Sequence, residues 1–204
     1  MRQPQNPSSW RTAVVLVAGG LAFGTLNALA NRGAGPDYLA KLVGNDWGWL
    51  VAGLIACRPA RSWGTALARG LGFFLPAVVA YYVNDALAGV YDSVDRWDPL
   101  GPKHFSFPEM LSDVIAYTVI STLTAAALAL IVVLSRRGGV LGLLASIVVP
   151  GYIAWHAWET HSYLSRDHTD PTLLRLTAVL WPASLIVTVA LVVARARPLW
   201  SRTT

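Results

Sequence analysis

The segment 155-WHAWETH-161 places two tryptophans, two histidines and one glutamate in seven residues, directly after the apolar run 140-VLGLLASIVV-149. An imidazole beside a carboxylate can relay a proton, and a carboxylic acid buried among tryptophans is a proton donor near neutral pH. On a helix, positions 152, 156, 159 and 163 fall within ~60° of one another. Tyr152, His156, Glu159 and Tyr163 then share one stripe, flanked by Trp155, and His156 can touch Glu159 three residues on. His156 and His161 are five apart and lie on different faces, a poor chelating pair. The spacing matches no zinc motif such as HExxH, so neither a metal nor a cofactor is expected. The competing reading is plain. Trp155 and Trp158 are anchors at a membrane interface, and His156, Glu159, His161, Asp167 and His168 are the solvated end of a helix and its loop.

Three further polar groups fall at the same level of the chain's apolar blocks. Asn45 and Asp46 stand beside Trp47 and Trp49; Tyr81, Tyr82, Asn84 and Asp85 close the third block; Glu109 and Asp113, four apart, open the fourth. A ligand site is therefore expected from Asn45, Asp46, Trp47, Tyr82, Asp85, Asp113, Trp155, His156 and Glu159, with Trp49 and Tyr81 beside them. Aromatic faces and carboxylates suit a small cationic or aromatic ligand. If the chemistry is acid–base instead (cyclisation, isomerisation or hydrolysis of a lipophilic substrate), the candidates are Asp113, Glu159, His156 and Glu109. If the second block is one helix from Asp37, Asp46 lies ~13 Å along it, inside the hydrocarbon, and needs a partner such as Arg175. If Gly44 and Gly48 break that helix, Asn45 and Asp46 sit in a cap. Glu109 also reads as a first-turn carboxylate favoured by the helix dipole.

The elements that must carry these residues are membrane helices. The chain is 54% hydrophobic and only 13% charged, about half the charge of a soluble domain. Its apolar blocks are continuous and near the ~20 residues that span a bilayer, which argues against strands and a barrel. Six spans are expected, at about 12–30, 38–57, 63–84, 110–134, 139–160 and 173–194, in one all-α membrane bundle with tails at 1–11 and 195–204. The loop 91–109, rich in Pro, Gly and Asp, is no span. With the N-terminus inside, Arg2, Arg11, Arg58, Arg61, Arg69, Arg136, Arg137, Arg195, Arg197 and Arg202 are cytoplasmic, ten of the sixteen basic residues. All eleven acidic residues and all four histidines then fall on or near the outer side. The positive-inside rule thus predicts both termini in the cytoplasm of a plasma-membrane protein. Basic residues scattered at block ends form no phosphate-binding stripe, so nucleic acid is not an expected partner despite a pI near 9.7. The single Cys57 excludes an internal disulfide.

Two features of the first block have alternatives. Arg2, Arg11, the apolar run and 28-ALA-30 also fit a signal peptide cleaved after Ala30. An uncleaved helix is favoured by Gly20 and Gly24, a GxxxG pair suited to close packing, either on a membrane-protein partner or on a second copy of the chain. No ATP-binding motif is present, so active transport requires a partner or an ion gradient. A third function class is a non-catalytic subunit whose acidic loops, with Gly20 and Gly24, contact a larger complex.

The stretch 21-LAFGTLNALAN-31, then 45-NDWGWLVAGLIACRPARSWGTALARGLGFF-74, ending at 81-YYVND-85, resembles small uncharacterised actinobacterial multi-pass membrane proteins that carry a domain of unknown function. The likeness covers the first two fifths of the chain and implies no activity or site residue. In architecture the chain is also similar to the substrate-binding S-components of energy-coupling-factor transporters: six helices, about 200 residues and a small-residue first helix with Gly19, Gly20, Gly24 and Ala28. That likeness implies a substrate near the outer face and a coupling subunit packed on the first helix.

Overall fold

The computed structural model describes residues 7–93, 101–167 and 169–200. The fold is all-α. The helices are α1 (Pro7–Asn31), α2 (Asp37–Val43), α3 (Asp46–Cys57), α4 (Trp63–Leu87), α5 (Phe107–Ser135), α6 (Gly139–Asp167) and α7 (Pro171–Trp200). Two strands of two residues each, β1 (Asp92–Ser93) and β2 (His104–Phe105), pair antiparallel with Asp92 opposite Phe105. They tie together the base of the loop where only irregular chain was expected. Of the loop's acidic residues, Asp95 and Asp98 lie outside the described residues, as does His168.

Among the described residues, five helices are long and apolar enough to cross a membrane: Trp10–Asn31, Trp63–Leu87, Phe107–Ser135, Gly139–Asp167 and Pro171–Arg195. The sixth expected span, 38–57, is not one helix. Its longer piece, α3, has 12 residues and is about 18 Å long, short of the ~30 Å hydrocarbon core. The break falls at Gly44 and Asn45, where Asn45 is extended (φ −98°, ψ 165°). Two glycines make it possible. A Cβ on Gly44 would collide with the Asn31 side chain and come within 2.8 Å of the Ala40 carbonyl, and one on Gly48 would stand 2.7 Å from the Val43 carbonyl. The contiguous 38–57 helix is thereby corrected, and the broken alternative is what the chain adopts.

α1 and α4 pack parallel along their length. Gly20 and Gly24 face the backbone of Phe73 and Ala77, where any Cβ would overlap a carbonyl. Within the chain, the helix that the GxxxG pair seats is α4. Beneath this contact lies the core, built from Phe73 and Phe74 of α4, Leu128 and Val132 of α5, Val149 and Ile153 of α6, and Cys57 and Trp47 of α3. Around it the long helices turn apolar side chains outward. Val15 of α1 is 69% exposed, Leu123 of α5 66% and Ile186 of α7 67%. Such a continuous apolar exterior is foreign to soluble monomers, and the bundle is compatible with an integral membrane protein.

The ends of the bundle differ in charge. At one end, arginines donate to carbonyls at or beside helix termini. Arg69 Nε donates to Ala56 O (2.8 Å), Arg136 donates to Arg58 O, and Arg195 Nη1 donates to Ser135 O and to Gly142 O (3.2 Å). At the other end, Asp170 caps α7 by accepting from Leu173 N (2.9 Å) and pairs with Lys41 of α2 at 2.6 Å, while Thr172 donates to Asp37 (2.8 Å). α2 and α3 together carry the chain from this acidic end, beside Asp37, to the basic end, beside Arg58.

Candidate ligand cavity

α6 does not stop at residue 160 but continues to Asp167, so 155-WHAWETH-161 lies within a helix rather than at its end. The predicted stripe forms. The Tyr152 ring stacks on the His156 ring (centroids 5.7 Å apart, planes at 22°), and Glu159 approaches His156 Nδ1 at 3.9 Å. The break before α3 brings two more residues to this histidine. Asp46 lies 4.0 Å from His156 Nε2, and the Trp47 ring is 5.7 Å from the imidazole. The two carboxylates meet opposite nitrogens of the ring and so cannot close on one ion. Among the described residues no cluster of His, Cys, Asp and Glu is fit to hold a metal. His161 faces elsewhere, toward Leu174 O (3.3 Å) and Thr177 of α7. Trp155 is 55% exposed and only flanks the stripe.

Asp46 stands in the first turn of α3 with its side chain 72% exposed, and the group facing it is His156; no ion pair joins it to Arg175. Asn45 turns back to donate to Lys41 O. Trp47 is the opposite case, 2% exposed with an indole N–H that finds no acceptor among the described residues.

Beside His156, a cavity of about 550 Å³ opens between α5 and α6 and is floored by α1, α3 and α4. Its polar end holds Asn27, Asn31, Asp46, Tyr81, Tyr82 and Tyr152. Asn27, only 1% exposed, donates to Val43 O (2.7 Å), the last carbonyl of α2, and Asn31 donates to the Tyr81 hydroxyl (2.9 Å). Phe23, Trp49 and Phe74 pack ring on ring at its back, with Phe23 edge-on to Trp49 at 5.0 Å. Its other end is apolar, walled by Leu128, Ile131, Val148 and Val149.

Of the residues predicted to bind ligand, Asp46 and Tyr82 line this cavity, as do Trp49 and Tyr81; His156 touches it through Asp46 and Tyr152. Asp85 lies behind it, 7% exposed and 4.0 Å from Arg32, whose guanidinium also donates to Asn84 O (2.7 Å). Asp113 accepts from the Tyr91 hydroxyl (3.1 Å), which burial and then that carboxylate push well up from its ordinary value. Glu109 is exposed in the first turn of α5, the position the helix dipole favours. Among the described residues no hydrogen bond or ion pair joins Glu109 or Asp113 to His156 or Glu159, so the four acid–base candidates do not form one constellation.

Compared with protein families, curated proteins and solved structures, the chain matches none. The site therefore has to be read from its own residues. Sequence reasoning missed Asn27, Asn31, Tyr117 and Ser121 in the cavity wall. A signal for two of them existed: Asn27 and Asn31 are polar, four apart and on one face of an apolar helix.

Proposed function

We propose that the chain is a plasma-membrane protein that crosses the bilayer six times, the α2–α3 pair counting as one crossing. Both termini are cytoplasmic, and it binds and moves a small cationic or aromatic ligand through the cavity beside Asp46. The arginine-capped end supports a cytoplasmic placement by the positive-inside rule. Broken helices are tolerated at membrane depth where they line a cavity, and the α2–α3 break lies against this one. The observation that carries the reading is the cavity itself, within the ~300–1,000 Å³ usual for small-ligand sites and lined from several helices. Asp46 is the one acidic side chain among the described residues of its lining, set among tyrosine and tryptophan rings, which favours a cation.

The test is the thermal stability of the purified protein with tetramethylammonium and with aromatic amines, repeated in Asp46→Asn. A probe at ~100 times its dissociation constant stabilises by ~2.7 kcal/mol. A shift present in the wild type and lost in Asp46→Asn supports the reading. No shift with any probe contradicts it.

A further inference from the structure

The cavity is not shaped for a headgroup alone. Its lining on α5 runs from Tyr117 to Ile131, about 21 Å at 1.5 Å per residue. The end near Asp46 is the more polar one; below Ser121 the lining is Phe74, Ala127, Leu128, Ile131 and Val148, apolar but for Thr124. A small hydrated cation at the top would leave this lower half without a fitting occupant, since water there has too few polar partners. The side of the cavity is open as well. Ile120 on α5 and Val148 on α6 form its rim and are 54% and 48% exposed, on faces that look toward lipid in a bilayer. At the junction of the two halves stands Ser121. It lines the cavity, is 7% exposed as a residue, and makes no hydrogen bond to any described residue. A hydroxyl in the cavity lining with no partner among the described residues is free to bond an occupant.

Resting on the binding role above, we infer that the ligand is a single-chain amphiphile with a cationic head, entering sideways from the bilayer between α5 and α6. The head sits at Asp46 among the Asn31, Tyr81 and Tyr152 side chains, and the alkyl chain runs down past Ser121 to Ile131. The charges around the head site agree. Glu159 and Asp85 are acidic, Arg32 is matched to Asp85, and Lys41 is held by Asp170.

The experiment uses the full chain in phosphatidylcholine nanodiscs with an alkyl-trimethylammonium probe carrying a diazirine near the end of a sixteen-carbon chain. Label should fall on α5 and α6 around Ala127, Ile131 and Val148. Excess hexadecyltrimethylammonium should displace it, and equimolar hexadecyl sulfate or hexadecane should not. Asp46→Asn should weaken labelling at least tenfold. Val148→Trp, a change at the exposed rim that spares the core, should block it. Label spread equally over Ile186 and Val189 of α7, unmoved by either variant, would mean bulk acyl chains only and would overturn the proposal. Displacement by tetramethylammonium as effective as by the long-chain compound would also overturn it, while leaving the small-cation reading in place. Absence of binding by every cationic probe would remove both.

Discussion

The Asp46 carboxylate at the start of α3 lies 4.0 Å from Nε2 of His156 in the middle of α6. These residues are 110 positions apart, and the break at Gly44 and Asn45 is what lets them meet. With Asp46 in the first turn of a new helix, its side chain joins the cavity lining. Because the side chain is 72% exposed, Asp46→Asn should change stability by less than about 1 kcal/mol in chemical denaturation. The same change should weaken binding of a cationic probe on the order of tenfold, the worth of ~1.4 kcal/mol. Large destabilisation with unchanged binding would contradict this placement.

Trp47 makes a separate prediction. Its buried N–H lacks an acceptor among the described residues, and leaving a donor unpaired costs about 1–3 kcal/mol. Trp47→Phe keeps most of the packing against His156 and removes the unpaired group, so the melting temperature should hold or rise. Trp47→Ala should lose roughly 3–5 kcal/mol through the void it leaves. A Trp47→Phe protein melting far below wild type would show that the N–H has a partner.

Close packing at glycine is testable at both ends of the bundle. Gly24→Leu must push α1 off the Ala77 backbone, and Gly142→Ala would drive a methyl into the Arg137 carbonyl and against Arg195 Nη1. Each should destabilise by about 1–3 kcal/mol or more. Gly64→Ala, where nothing lies within 4 Å, is the control and should be neutral or slightly stabilising in its helix. Equal stability of all three variants would refute the α1–α4 contact.

Asp170 links α2 to the start of α7. Partial burial alone would raise its pKa, but the Lys41 ammonium and the Leu173 N–H outweigh that and hold the carboxyl below its ordinary value. A carboxylate depressed in the folded state adds stability above its unfolded pKa and loses it as pH falls through the folded one. The Asp170 contribution is therefore complete at neutral pH and disappears only in acid, below the ordinary aspartate range. Asp170→Ala should cost about 1–2 kcal/mol at neutral pH, from the helix cap and a partly exposed ion pair. The wild-type advantage over the variant should shrink in acid; a constant gap down to strongly acidic pH would contradict the assignment.

What could be read from the sequence follows from what is local. Continuous apolar blocks set the long helices, and the four-residue spacing of Tyr152 and His156 set the stripe on α6. The charge pattern located the ends of the bundle, though Arg136 and Arg195 prove to be caps on neighbouring helices as well as charges. The α2–α3 break was visible only as an alternative, because Gly44 and Gly48 weaken a helix but tertiary contacts with Asn31 decide whether it bends. What the sequence hid is non-local. Lys41 reads as an interruption in an apolar block until Asp170, 129 residues on, is seen beside it. Ser121 is one hydroxyl among many in α5, and only the gap between α5 and α6 shows that it lines a cavity with no partner among the described residues.

The most direct test of the central claim places a cysteine at Ser121 and treats the protein in sealed vesicles of known orientation with a membrane-impermeant cationic thiol reagent. The native Cys57 is fully buried and supplies little background. A cavity open at the Asp46 end predicts fast modification of Ser121→Cys from the outer side, slowed by a bound cationic amphiphile, while Ile186→Cys on the outward face of α7 stays unreactive. No reaction at position 121 from the outer side, or reaction only from the cytoplasmic side, would contradict an outward-facing binding cavity.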